Sequence, residues 1–308
     1  MTLEQLRIFV AVAERQHMTQ AARDLNLAQS AASSAIAALE ARHDAKLFNR
    51  VGRRIELTEA GRIFLDEARS VLAQAESAER ALREINGLRR GALTVQASQT
   101  IASYWLPRHL VAFHGAYPLM EIKLTIGNTA QVAAAVEQGA VEIGFVEGAI
   151  ENEHLAAAPV ARDQLALVVG PEHPWAERSG LDASELIRGD WVLREKGSGT
   201  RSVFEAALMQ LGVDARALRV VMEMPSNEAV RAVVEAGLGA TALSASVAAP
   251  SLEAGLLRQA PLDLPDRAFY ALSHRERSQS RAAKALLAII GQSAPPAETV
   301  KGSPGNKR

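Results

Sequence analysis

The sequence predicts a small helical N-terminal unit carrying a β-hairpin, then one long helix, then a larger α/β unit. Three observations point there. Apolar residues keep helical spacing from Leu3 to about Arg42, a seven-residue apolar repeat holds from Phe64 to Ile85, and strand-like runs alternate with helical stretches from Leu93 onward.

The chain has 308 residues, 48% of them apolar and 22% charged, which is ordinary for a globular protein and enough for two or three cores. It has no cysteine, so a disulfide framework, a thiolate zinc site and a cysteine nucleophile are all excluded. Glu4, Arg7 and Glu14 interrupt the first residues where a secretory signal needs an apolar core. No stretch approaches the roughly 18 apolar residues of a membrane span. The expected compartment is the cytoplasm, with no membrane partner. A net charge of −1 argues against a protein that coats nucleic acid, but not against a local basic patch such as Arg50, Arg53 and Arg54.

Leu3, Leu6, Ile8, Phe9, Val10 and Val12 fall mostly on one face of a first helix. A second, short helix starts near Thr19 as N-cap and runs to Leu25. A third runs from about Gln29 to Arg42, with Ala32, Ala35, Ile36 and Leu39 facing inward. Two short helices joined by a tight turn, the second with a polar outer face, form the helix-turn-helix pattern. Leu47–Leu57 alternates around Gly52 and predicts a basic hairpin, or wing.

Thr58 is the expected N-cap of the long helix. Its apolar positions Phe64, Ala68, Val71, Ala75, Ala78, Leu82 and Ile85 recur at steps of four and three, as in a heptad seam. Such a face either pairs with a second copy or lies on its own domain. The alternation of large and small residues favours dimerisation, and Gly87 and Gly91 end the helix.

Strands are expected at Leu93–Ala97, Glu121–Ile126, Glu142–Glu147, Leu165–Gly170, Trp191–Arg194, Arg219–Met224 and Gly239–Ser244. Helices are expected at Tyr104–Ala116, Thr129–Gln138, Ser202–Leu211 and Ser226–Glu235. This alternation predicts α/β units with mainly parallel sheets. The tail, 293–308, is rich in Pro, Gly, Ser and Lys and reads as disordered.

Several of these segments, taken in order, resemble the LysR-type transcriptional regulators. They are Leu3-Glu4-Gln5-Leu6-Arg7-Ile8-Phe9, Thr19-Gln20-Ala21-Ala22 through Ala38-Leu39-Glu40, Leu47-Phe48-Asn49-Arg50, and Leu57-Thr58-Glu59-Ala60-Gly61. The resemblance covers nearly the whole chain. It implies a winged helix-turn-helix over 1–58, a linker and dimerisation helix over 59–90, and a sensor over 91–292 shaped like a periplasmic binding protein. The sensor would have one lobe of 92–161 plus 267–292 and a second of 162–266. The implied partners are double-stranded DNA, a small-molecule effector, further copies in a homodimer or homotetramer, and RNA polymerase. Two positions depart from the pattern. Ala28 replaces the usual capping serine, and His43-Asp44-Ala45-Lys46 replaces a Leu-Gly-x-Pro turn, where Asp44 can adopt, at some cost, the left-handed backbone a glycine would take.

For DNA, the groups opening the third helix are Gln29, Ser30, Ser33 and Ser34. An amide pairs with adenine in the major groove, while hydroxyls suit phosphates or bases. Thr19 offers a hydroxyl near a helix start, and Arg50, Arg53 and Arg54 suit the backbone or minor groove. For the effector, one device occurs twice: a strand running into hydroxyls that open a helix. It appears at Ser98-Gln99-Thr100 and at Gly197-Ser198-Gly199-Thr200, with Asn128-Thr129 at another such turn. Hydroxyls and free backbone N–H groups at helix starts favour anions, and Arg194 and Arg201 would add positive charge. The competing reading is that Ser98, Thr129 and Ser198 merely cap helices. Aromatic residues make up only 4%, so a small polar anion is the expected effector. Arg194–Arg201 resembles a LysR subgroup tied to sulfur and carbon assimilation.

An enzyme is not expected. Histidines 17, 43, 109, 114, 154, 173 and 274 show no metal spacing, there is no Gly-x-Ser-x-Gly elbow, and Gly197–Thr200 lacks a Walker lysine. No cofactor and no metal are expected. The alternative is a DNA-binding regulator or architectural protein with no effector.

Overall fold

The first helix, α1 (Leu3–Arg15), begins with a capping box in which the Thr2 hydroxyl accepts from Gln5 N–H and the Gln5 side chain accepts from Thr2 N–H. It packs against α2 (Met18–Asp24) and α3 (Gln29–His43) through Leu6, Phe9, Val12, Ala21, Ala22, Ala32, Ile36 and Leu39, all buried. The hairpin strands β1 (Phe48–Val51) and β2 (Arg54–Leu57) pair antiparallel, Phe48 opposite Leu57 and Val51 opposite Arg54. The long helix α4 (Glu59–Glu84) closes this core, with the Phe64 and Phe48 rings 4.9 and 5.4 Å from Phe9. The computed structural model describes residues 1–51, 54–84, 91–148 and 150–293. The expected tail and the helix-ending Gly87 lie outside them.

Two local expectations are confirmed in detail. Asp44 takes the left-handed conformation, with φ 47°, at the end of α3. The Thr58 hydroxyl accepts from Gly61 N–H at 2.9 Å, capping α4. Gly61 has no substitute there, since a Cβ would lie 2.1 Å from the Leu47 carbonyl oxygen. One expectation is corrected: α2 starts earlier, because His17 Nδ1, not Thr19, accepts the capping bond from Gln20 N–H.

The C-terminal unit is built on two five-stranded sheets. The first, in order β4-β3-β5-β12-β6, comprises β3 (Gly91–Ser98), β4 (Met120–Gly127), β5 (Ile143–Glu147), β6 (Leu155–Asp163) and β12 (Arg267–His274). The second, β11-β7-β10-β8-β9, comprises β7 (Leu165–Val169), β8 (Asp190–Arg194), β9 (Arg219–Met224), β10 (Ala240–Ser244) and β11 (Arg258–Gln259). The chain therefore crosses between sheets after Asp163 and returns at Arg267. The sheets are mixed rather than mainly parallel: in each, β-pairings of both senses occur, two parallel and two antiparallel. The returning strand β12 runs antiparallel to both β5 and β6, which produces the difference in the first sheet.

Helices cover the sheets: α5 (Leu106–Ala116), α6 (Thr129–Gln138), α7 (Ala183–Arg188), α8 (Gly199–Gln210), α9 (Asn227–Glu235), α10 (Ala245–Glu253) and α11 (Arg281–Ser293). α5 begins later than its spacing suggests, because Ile101–Trp105 forms a π-helical turn ahead of it. The strands β5, β7 and β10 are buried along their whole length, as expected of sheets covered on both faces. The turns after β3, β5, β8 and β9 meet where the two lobes face each other.

Candidate functional site

The outer surface of α3, where DNA contacts are expected, follows from the helix's burial. With Ala32, Ile36 and Leu39 inside, Gln29, Ser30 and Ser34 are exposed and Ser33 is half-buried. No side chain caps the helix at Ala28, so the first N–H groups of α3 are left for an outside acceptor. Thr19 is exposed but sits within the first turn of α2. Arg50 and Arg54 lie on the two hairpin strands; their side chains, and Arg53 altogether, lie outside what the structure describes. Glu40 fixes hairpin to helix, its Oε1 accepting from Leu47 N–H at 2.8 Å and Phe48 N–H at 3.2 Å, with Lys46 on Oε2 at 3.0 Å. Burial pushes the Glu40 carboxyl upward, but these bonds outweigh it and hold the group below its ordinary value.

The residues expected to hold a ligand lie at the seam between the two lobes. Ser98, Thr100, Ser198 and Thr200 are all buried there. Asn227 joins the halves: its Nδ2 donates to Thr100 Oγ1 at 3.0 Å, its N–H to Gln99 Oε1 at 2.7 Å, and its Oδ1 accepts from Arg194. Gln99 also donates to Glu228. Asn128 caps α6 through Gln131 N–H and reaches across to Glu195 Oε1 at 3.2 Å, while Ala130 N–H donates to the Gly197 carbonyl at 3.2 Å. Thr129 donates to the buried Glu147 at 3.3 Å, and Arg267 Nη1 donates to Thr200 Oγ1 at 2.9 Å. Ser98 Oγ is buried without a hydrogen-bond partner. Such an atom costs about 1–3 kcal/mol unless something fills the gap.

Thus seven of the nine residues expected around the effector, from Ser98 to Thr200, are brought together at this seam, although the two arginines are differently employed. Arg194 is held by both oxygens of Glu195, at 2.8 and 3.0 Å. Burial works against the Glu195 charge, but the Arg194 bonds and charge and the Asn128 bond bring its carboxyl below the ordinary value. Arg201 turns to Glu205, at 2.7 Å, and to Glu223. Neither guanidinium is a free positive charge, which corrects the electrostatic role expected of them. The residues missed from sequence are Glu147, Glu195, Asn227 and Arg267. Asn227 had a signal, since Met224-Pro225-Ser226-Asn227 is a fourth strand-to-helix turn of the same kind. Arg267, paired with Asp163 Oδ2 at 2.7 Å, had none.

The seam on α4 divides. Ala68 is buried and Phe64 packs in the core of its own N-terminal unit, so these two positions serve that core first. Val71 and Ala78 are exposed and Ala75 is half-buried. The Leu82 side chain and Ile85 lie outside the described residues. α4 also touches the first lobe: a Cβ on Gly139 (φ 78°) would lie 2.3 Å from Ala73 Cβ, and Arg69 bridges Gln138 at 3.3 Å and Glu14 at 2.8 Å.

A helix-turn-helix followed by two such sheets also has matching families. Residues 3–62 match the bacterial regulatory helix-turn-helix protein, lysR family, and residues 86–295 match the LysR substrate binding domain. The chain belongs to the LysR family. It is 36% identical over 287 residues to a probable RuBisCO transcriptional regulator of Cyanidioschyzon merolae, covering 92% of this chain and 95% of the relative. Full-length CbnR, solved in complex with its target DNA, shares the fold with a TM-score of 0.68 at 23% identity, over 96% of this chain and all of that one. The regulatory domain of Synechocystis PCC6803 CcmR, solved in complex with 2-PG, gives a TM-score of 0.60 at 25% identity, over 66% of this chain and 97% of that one. The protein is therefore a LysR-type transcriptional regulator with a DNA-binding helix-turn-helix and an effector-binding domain, and its relatives are regulators rather than enzymes. Among the described residues, no helix is long and apolar enough to cross a membrane, and no group of His, Asp and Glu forms a metal site.

Proposed function

We propose that this LysR-type regulator reads duplex DNA with Gln29, Ser30, Ser33 and Ser34 of α3 and with the hairpin arginines, and that its lobes respond to a small anionic ligand bound between them. In this reading 1–58 binds DNA, 59–90 pairs copies into dimers or tetramers, and 91–292 senses. RNA polymerase is the further partner that activation would require.

The observation that carries the ligand reading is the buried, unpartnered Ser98 hydroxyl, set where the strand-to-helix turns of both lobes converge. Neutral donors surround it rather than free cations, so an anion there is held by hydroxyls, amides and helix N–H groups. The CcmR domain, solved with 2-PG, supports a small ligand in this kind of sensor.

α6 supplies a route from the cleft to the DNA-binding unit. Its first turn touches Glu195 and Gly197 of the second lobe, and Gln138 at its end meets Arg69, which holds Glu14 of α1. A helix of 10 residues spans about 15 Å and moves as one body. Lobe closure displaces its first turn and thereby the α4 contact at the other end.

Thermal unfolding of the purified chain in inorganic phosphate, sulfate and short carboxylates tests the reading. A rise of several degrees with at least one anion, lost in Thr200→Val, is the expected result. The absence of any shift would favour the regulator that has no effector.

A further inference from the structure

The cleft contains a carboxylate that the anion reading does not use. Glu147 ends β5 after the apolar run Ile143-Gly144-Phe145-Val146, and it is 3% exposed. Ala97 of β3 pairs with Phe145, so Ser98 and Glu147 end adjacent strands. The Thr129 hydroxyl donates to Glu147 Oε2. From the other lobe, the first turn of α8 comes so close at Gly199 that a Cβ there would lie 2.4 Å from Thr129 Oγ1 and 2.9 Å from Glu147 Oε2. The glycine thus lets the start of α8, which carries Thr200, pack directly on Glu147 and Thr129.

A carboxylate and an anionic ligand share a site only if a proton lies between them, because two neighbouring like charges disfavour one another's ionised form. With that proton on the ligand, the pair forms a short O–H···O⁻ hydrogen bond in which Glu147 accepts. Without it, the ligand meets repulsion in a place where water screens little. Inorganic phosphate keeps a proton on an oxygen at neutral pH, and hydroxy acids carry a hydroxyl beside the carboxylate. Sulfate carries neither.

We infer that Glu147 is a specificity-determining residue that admits anions bearing an O–H group, such as hydrogen phosphate and hydroxy acids, and rejects fully deprotonated oxyanions such as sulfate. This rests on the anion reading of the cleft. Glu147→Gln replaces one acceptor oxygen by an amide donor at constant shape, so it relieves the repulsion and offers sulfate a hydrogen bond.

The test is calorimetric titration of the full chain and of Glu147→Gln with inorganic phosphate and with sulfate at neutral pH. The wild type is expected to bind phosphate at least tenfold more tightly than sulfate, and Glu147→Gln to lose or reverse that preference. Equal affinities in the wild type overturn the inference without any variant, as does a preference unchanged in a folded Glu147→Gln protein, which would leave Glu147 a structural partner of α8. If neither anion binds either protein, the anion reading of the cleft itself fails, and the inference falls with it.

Discussion

Glu40 shows how much one side chain contributes to the DNA-reading geometry. It sits on α3, yet its carboxylate holds the backbone of Leu47 and Phe48, and so sets where the hairpin leaves the recognition helix. Glu40→Ala leaves two N–H groups without this acceptor and is expected to destabilise the chain by about 1–3 kcal/mol, seen as a lower Tm at pH 7. The folded carboxyl titrates below its unfolded value of about 4.3, so its contribution is complete above that value. It disappears as pH falls through the folded one, and the Tm difference between variant and wild type should shrink toward acid pH. A difference that persists at acid pH would mean that packing, not charge, is at work. At this scale the sequence was readable where cause and effect are neighbours: Thr58 with Gly61, Asp44 after His43, and the bare Ala28. It was not readable at Glu147 and Arg267, whose partners Gly199 and Thr200 lie tens of residues away in the chain.

At the scale of elements, periodicity located α3, α4, α6 and most strands, because each has a buried face with its own regular spacing. It missed β6, where Ala156-Ala157-Ala158-Pro159 has neither alternation nor branched side chains, and pairing with β12 along its length holds the strand at the sheet edge. Without β6 and β12 the first sheet looked parallel. It also missed α10, which carries Pro250 inside it. On α4 the period divides: Phe64 and Ala68 serve their own core, while Val71 and Ala78 are exposed and Ala75 is half-buried, the positions proposed to pair with a second copy. Ala75→Glu puts a charge into that surface without touching the N-terminal core. It is expected to turn the assembly into smaller species in analytical ultracentrifugation, with helix content unchanged. A variant that sediments like wild type would remove these positions from the interface.

The whole molecule joins two sites that no short segment connects. The cleft bonds of Asn128 and Ala130 lie at one end of α6, and Gln138, Gly139 and the α4 contact at the other. Arg69 ties that end to α1 of the DNA-binding unit, through Gln138 and Glu14, beside the bonds of Gln138 to Asp66 and of Arg277 to Ser70 on α4. Its truncation should leave ligand binding and DNA binding each intact while separating one from the other. The most direct measurement is the Kd of the full chain for a duplex that the chain itself selects from genomic fragments, with and without saturating inorganic phosphate, in wild type and Arg69→Ala. The account predicts a several-fold change with phosphate in the wild type and little or none in Arg69→Ala, while phosphate raises the Tm of both proteins. A wild-type Kd that phosphate leaves unchanged, although phosphate still raises the Tm, would contradict it.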